Sequence, residues 1–479
     1  MHDTTHADAL GADALRVVLY SHDSVGLGHT RRNLAIAEAL AAGMPKATGR
    51  PVSGLIISGA SDAAQFPLPN GWDWLLVPGI TKDSKGKGAG SSTEAVPTGT
   101  ARRDHGHRAF SSYVPRKLDV APQRVRGLRS SVITGALLTF RPHLVVVDRH
   151  PFGADGELDE PLTEFRAQKP EARIVLGLRE VLDDPVTAMR EWEHVGVDRV
   201  ADLYDELWVY GDRSVHDTIA TGEIPPQLVH KTRFTGLLAA DRPARADVDL
   251  PQNPLVVTMV GGGGDGAALA GAAATAPLPD GVEHLLVTGP QMPAADRMAV
   301  HSAAVAAGSR TRVVTTVPDG LACIRTADAL IGMGGYNTVT EALATDTPML
   351  VCPRVEPRTE QLIRARGLGT QGSLDWCTPA RLSPETIGEW IASAVADGGT
   401  VRDRQITARG ALRLDGLARV VEFAAGLATG ESTRVRSLSR AVTARLGSSR
   451  SAPALASTPA PATGSRAQGG DRMEAAHAG

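Results

Sequence analysis

The sequence predicts an α/β protein built from two doubly wound, Rossmann-like domains in tandem. Short apolar runs alternate with segments of helical spacing, the pattern of a parallel sheet wrapped by helices. That rhythm pauses once, over residues 234–253, and then resumes. At 479 residues the chain is too long for one ordinary domain, and two α/β domains with tails fit its length.

The first domain opens with Val17-Val-Leu-Tyr20, a short buried-type strand, followed by the turn Ser21-His-Asp-Ser-Val-Gly-Leu-Gly-His29. Leu34, Ala35, Ala37 and Leu40 then fall at helical spacing between Arg31 and Ala42, and Gly43 is placed to end that helix. Leu55-Ile-Ile57 and Trp74-Leu-Leu-Val77 read as strands. Residues 81–106 are rich in Gly, Ser and Lys without periodicity and read as a surface loop. A helix is expected over Arg124–Phe140, and Leu144-Val-Val-Val147 is a strand ending at Asp148. Ile174–Leu178 and Leu207–Tyr210 add two strands. Arg242-Pro243, Pro251 and Pro254, with few apolar residues among them, mark an interdomain linker.

A second alternation follows. Its strands are Leu255–Val260, His284–Val287, Val313–Val317, Ala329–Ile331 and Met349–Val351, and helices fit Glu385–Ala396 and Leu414–Leu427. The expected division is residues 1–15 as a disordered N-terminus, 16–240 as the first domain and 241–253 as the linker. Residues 254–430 form the second domain, and 431–479 a basic helix with a disordered tail rich in Ser, Ala, Pro and Gly. Val435, Leu438, Val442 and Leu446 line one face of that helix among Arg434, Arg436, Arg440 and Arg445. A weak contact with anionic lipid through 434–446 is one reading; the narrowness of the stripe favours a solvated helix.

Composition excludes several classes. Hydrophobic residues make up 42% and charged residues 22%, ample for globular cores. Aromatics are only 4% against 51 glycines, and the net charge is −3, so nucleic acid is not an expected partner. Cys323, Cys352 and Cys377 follow no Cys-x-x-Cys spacing, which argues against a disulfide framework or a structural zinc. Met1–Ala14 is polar, without a signal core, and no apolar run reaches membrane-spanning length, so a soluble, cytoplasmic protein is expected.

Three turns carry the chemistry. Ile331-Gly-Met-Gly-Gly-Tyr-Asn-Thr-Val-Thr-Glu-Ala-Leu343 reads as a strand, a glycine turn and a helix start, where backbone N–H groups and the helix dipole suit a phosphate. Asn337 and Glu341, four apart, share one helical face and suit a ribose. Thr338 and Glu341 equally fit a capping box that needs no ligand. Gly261–Gly264, followed by Asp265 and an Ala-rich helix, can cradle a diphosphate; four glycines in a mere turn would be entropically expensive. No acid closes the following strand as a dinucleotide site needs, and no lysine makes a P-loop. The first turn sets His22, Asp23, His29, Thr30 and Arg31 at the carboxyl end of a strand, where α/β ligand crevices form. Imidazole titrates near neutrality, so His29 is a candidate general base. The one Asp-x-Asp, Asp247-Val-Asp249, lies in the linker, so no metal is expected at a diphosphate site. A cation such as Arg179 or Arg354 would assist the amides instead.

The series Gly334-Gly335-Tyr-Asn-Thr, Glu341, Pro348, Pro353-Arg354 and Glu360-Gln361 resembles the donor domain of GT-B glycosyltransferases, especially family 28, which includes the lipid II N-acetylglucosaminyltransferase. Ser21 to Asn33 resembles a bacterial subgroup described only as predicted glycosyltransferases. The resemblance spans about residues 16–427 and implies two Rossmann-like domains facing a cleft. It implies that Glu341 meets the ribose, that Gly334, Gly335, Asn337, Thr338 and Arg354 meet the diphosphate, and that Gly262, Gly263 and Gly264 approach it from the other side. Glu360 and Gln361 would contact the transferred sugar. Gly26, Gly28, Thr30 and Arg31 would form the acceptor-side loop, with His29 and Asp148 as the catalytic residues. Retaining members often carry a glutamate eight residues before the position of Glu341; Met333 stands there, which implies inversion. The expected activity is metal-independent hexosyl transfer from a nucleoside-diphosphate sugar, foremost a UDP-sugar, to an acceptor hydroxyl on a small molecule or lipid carrier. No cofactor is expected, and a peripheral position at the inner membrane face stays open. The rivals are a non-hydrolysing UDP-sugar 2-epimerase and a nucleotide-sugar-binding protein without catalysis; an NAD-dependent oxidoreductase is more distant, as both acidic ribose partners are missing.

Overall fold

Apolar runs too short for helices and unbroken by polar alternation form central parallel strands, buried on both faces. Fifteen strands are found among the described residues of the computed structural model, which are 14–23, 28–82, 113–242, 250, 254–356, 358–396 and 399–430. The first sheet contains β1 (Leu15–Ser21), β2 (Val52–Ser58), β3 (Trp72–Leu76), β6 (Leu144–Asp148), β7 (Arg173–Arg179), β8 (Glu206–Tyr210) and β9 (Thr232–Phe234). Their order is β3-β2-β1-β6-β7-β8-β9, and every neighbour pair is parallel. A small antiparallel pair, β4 (Ile80–Lys82) with β5 (Tyr113–Pro115), stands apart from it.

The second sheet repeats the plan. It comprises β10 (Leu255–Met259), β11 (Glu283–Val287), β12 (Thr311–Val314), β13 (Ala329–Gly332), β14 (Met349–Val351) and β15 (Asp375–Trp376), ordered β12-β11-β10-β13-β14-β15 and parallel throughout. In both sheets the strand order reverses beside the first strand, at β1/β6 and β10/β13. Ligands of open α/β sheets bind outside the strand ends at such switch points.

Of the helices, α1 (Gly28–Thr48), α2 (Pro122–Phe140), α3 (Asp159–Gln168), α4 (Pro185–Val195) and α5 (Val197–Leu203) belong to the first sheet. The second carries α6 (Ala267–Ala274), α7 (Ala294–Ala306), α8 (Gly320–Thr326), α9 (Tyr336–Leu343), α10 (Glu360–Thr370), α11 (Pro384–Val395) and α12 (Thr400–Arg409). The last helix, α13 (Gly416–Thr429), packs on α1 instead.

One expectation changes. Helix α1 does not stop at Gly43 but continues through it and Pro45 to Thr48. A Cβ at Gly43 would stand 2.7 Å from Val421 Cγ1 of α13, so glycine serves close helix packing there rather than a left-handed cap. Where the strand–helix rhythm pauses, Leu237, Leu238, Ala239 and Arg242 are buried, and Leu238 pairs with Asp415. Most of residues 81–106, the Asp247-Val-Asp249 pair, the 434–446 stripe and the tail lie outside the described residues.

Candidate functional site

Strand β1 ends at Ser21, His22 and Asp23 follow it, and α1 begins at Gly28. Asp23 organises this junction from a left-handed backbone, φ 44°. Its carboxylate accepts from Ser21 Oγ at 2.5 Å, from Ser58 Oγ at 2.6 Å and from the Thr30 backbone N–H at 3.2 Å, satisfying a donor in the first helical turn. His29 therefore projects from an anchored helix start. Its Nδ1 lies 3.0 Å from Asp148 Oδ2 at the end of β6, across the switch point. Burial alone would raise the Asp148 pKa, but Arg32 and His29 outweigh it and hold the carboxyl well below its usual range. Arg32 is buried and grips both oxygens, with Nη2 at 2.8 and 2.7 Å.

Two more imidazoles stand close by. The His22 ring lies 5.1 Å from that of His29 and 4.7 Å from that of His150. Burial, then the neighbouring rings, pushes both His22 and His150 well below the ordinary histidine range, so they are neutral. Thr30 is buried beneath the turn, and Gly26 lies outside the described residues.

Facing this edge, the second domain holds a cavity of about 460 Å³. Gly261–Gly264, Asp265, Gln291, Gly335, Thr338, Arg354 and Gln361 wall it, with Met259, Val260 and Met333 as its apolar side. Gly28 of the first domain completes the wall, so His29 is the next residue along. Gly263 spends its own N–H on the Val260 carbonyl at 3.2 Å, which leaves Gly261, Gly262 and Gly264 as the turn's candidates for an anion. Arg354 reaches Asp265 at 2.5 Å and Glu360 at 3.5 Å, a cation already held at the cavity's edge.

Several expected donor residues lie outside that wall. Helix α9 starts at Tyr336 with Gly335 as its N-cap and no side-chain cap bond, so the capping-box alternative for Thr338 and Glu341 is overturned. Glu341 instead binds Arg31 at 2.6 Å and Arg242 at 3.1 Å, and Asn337 donates to the Gly28 carbonyl at 2.8 Å. Both side chains are buried between the domains. Gly334 turns at φ 86° and its carbonyl accepts from Arg364 at 2.5 Å. Glu360 pairs with Arg179 of the first domain at 2.7 Å, and the Gln361 carboxamide accepts from the Arg354 N–H at 3.2 Å. Arg32, Arg242, Glu180 and His150 were not singled out by the sequence. An arginine following His29 by three residues on a helix was the one local signal available.

No protein-family model matches the chain. Proteins of Methanosarcina acetivorans and Methanosarcina mazei, each described as an uncharacterized glycosyltransferase, are 28% identical to it over 176 residues. That stretch is 36% of this chain and 43% of each relative, so the chain spans less than half the length of the curated relatives it matches. Among solved structures, the glycotransferase of kitacinnamycin superposes with a TM-score of 0.52 at 16% identity, over 86% of this chain and 99% of that one. A UDP-glucosyltransferase from Polygonum tinctorium gives 0.51 at 14% identity, over 87% and 99%. SnogD, a glycosyltransferase from Streptomyces nogalater, gives 0.50 at 15%, over 86% and 100%. At such identities the likeness is one of fold: the chain has the GT-B architecture, two Rossmann-like domains facing a cleft.

Proposed function

We propose that this chain is an inverting glycosyltransferase of the family 28 kind, moving a hexosyl group from a nucleoside-diphosphate sugar to an acceptor hydroxyl. The observation that carries the reading is the His29–Asp148 pair standing one residue behind the wall of a glycine-lined cavity. In the proposed step the acceptor oxygen attacks the anomeric carbon as His29 Nε2 takes its proton. Asp148 holds Nδ1–H and stabilises the imidazolium that forms. The bond from the anomeric carbon to the diphosphate breaks, and the departing charge is met by the Gly262 and Gly264 amides and by Arg354, so no metal is invoked. Met333, in the cavity wall eight residues before Glu341, offers no carboxylate for a retaining route.

The donor nucleotide is proposed to be uridine-based, and the acceptor to be a small molecule or a lipid-linked hydroxyl. Among the described residues no helix is long and apolar enough to cross a membrane. A cytoplasmic location, with or without peripheral contact through 434–446, goes with this proposal.

Thermal-shift measurements with UDP, GDP, TDP and their sugars test the donor site. One nucleotide class should raise the midpoint by several degrees, and no stabilisation by any of them sinks the reading. His29→Ala should then lower transfer by roughly 10²–10⁴-fold while leaving nucleotide stabilisation intact. Conversion of UDP-N-acetylglucosamine with no acceptor present would point to an epimerase instead.

A further inference from the structure

Arg32 follows His29 by three residues on α1, so the two side chains are neighbours on one helical face. Its Nη2 reaches Asp148 Oδ1 at 2.8 Å and Oδ2 at 2.7 Å, and Nε reaches Oδ2 at 3.1 Å. The same Nη2 lies 3.0 Å from His29 Nδ1, itself 3.0 Å from Asp148 Oδ2. These three groups form a triangle whose hydrogens can be arranged in two ways. With Nδ1–H donating to Asp148, the Nε2 lone pair is available to take a proton. With Arg32 donating to Nδ1, the proton sits on Nε2, which then has no lone pair to take another.

The guanidinium is buried and faces two aromatic rings. Its carbon lies 5.5 Å from the ring centre of Tyr336, the first residue of α9, and 5.9 Å from that of Tyr210. Tyr336 donates its hydroxyl to the Tyr210 carbonyl at 2.8 Å, so the contact spans both domains. The groups facing His29 are Asp148 and, through His22, His150 from the end of β6, His22 from the end of β1, and Arg32 from its own helix. The two neighbouring imidazoles are neutral, which leaves Asp148 and Arg32 as the charges in hydrogen-bond contact with it.

We propose that Arg32 is a positioning residue that shares Asp148 with His29, competing for the carboxylate and for Nδ1, and so sets how strong a base the imidazole is. The inference rests on His29 and Asp148 being the base and its partner.

Nitrogen-15 NMR of the imidazoles reads the tautomer and titration midpoint of His29 with no substrate present. In Arg32→Met the midpoint should rise by about one pH unit or more, tenfold in proton affinity, with Nδ1 carrying the proton in the neutral ring. Arg32→Lys, which keeps the charge but not the fork, should rise by less. If Arg32→Met does not fold, Asp148→Asn gives the complementary reading. The imidazole is then left with the guanidinium alone, and its midpoint should fall by about one unit or more. A midpoint within about 0.3 units of the unaltered protein, in Arg32→Met or in Asp148→Asn where that variant replaces it, overturns the proposal. A nucleotide screen without hits alongside the expected titration would sink the transferase reading and leave this one standing.

Discussion

Gly263 turns at φ 89°, and a Cβ on it would stand 2.1 Å from the Thr288 carbonyl oxygen. A backbone atom cannot swing aside as a side chain can, and an L-residue at that φ is strained by roughly 1–3 kcal/mol before any clash. Gly264, its neighbour in the cavity wall, has no protein atom within 4 Å of its would-be Cβ. Gly263→Ala should therefore lower unfolding free energy by about 2 kcal/mol or more in urea titrations. Gly264→Ala should stay within about 0.5 kcal/mol of the parent yet weaken nucleotide binding. Equal stability loss in the two variants would remove the distinction between a turn glycine and a ligand-facing one. Four consecutive glycines announced a special turn in the sequence, but which of them serves the backbone depended on Thr288, 25 residues away. Glu341 shows the same limit. Its residue type and helical face were legible, while its partners Arg31 and Arg242 come from other parts of the chain, which no local pattern encodes.

Helix α1 carries the element-scale lesson. Its apolar spacing gave the buried face correctly, since Leu34, Ala35, Ala37 and Leu40 are all buried. Its end was misplaced because Gly43 has two uses, a left-handed cap or a point of close helix contact, and only tertiary packing selects between them. The contact with α13 makes that choice testable. Gly43→Ala drives a methyl into Val421, 2.7 Å from Cγ1, and should destabilise the protein by about 1–3 kcal/mol despite alanine's better helix propensity. Val421→Ala opens the space, so the double variant should recover most of that loss. A double-mutant cycle in urea measures the coupling, and additive effects would mean that the two helices do not touch there. Strand β15 escaped the sequence for a different reason. At two residues, Asp375–Trp376, it is too short to show a period and exists because β14 offers it a ladder.

At the scale of the whole molecule, the two domains are joined by ion pairs. Arg358 reaches Asp183 at 3.2 Å and Glu191 at 2.6 Å, Arg364 meets Glu180, and Arg179 meets Glu360 at 2.7 Å. The two-domain plan was legible from strand and helix alternation alone. This set of ion pairs was not, because its partners sit on a strand end, loops and helices scattered between residues 179 and 364. Glu360 gives it a pH signature. Burial alone would raise its pKa, but Arg179, Arg364, Arg354 and Arg149 together bring it from 4.5 to about 2. A carboxylate depressed in the folded state contributes stability above its unfolded value and loses it as pH falls toward the folded one. The contribution is thus complete above about pH 5 and shrinks from there toward pH 2, with a full size on the order of 3 kcal/mol. Urea unfolding of the parent and of Glu360→Gln across pH 7 to 3 should give curves that run parallel above pH 6 and converge below pH 4.5. Curves that stay parallel over the whole range would mean that Glu360 titrates as an ordinary carboxylate and that Arg179 is not its partner in solution.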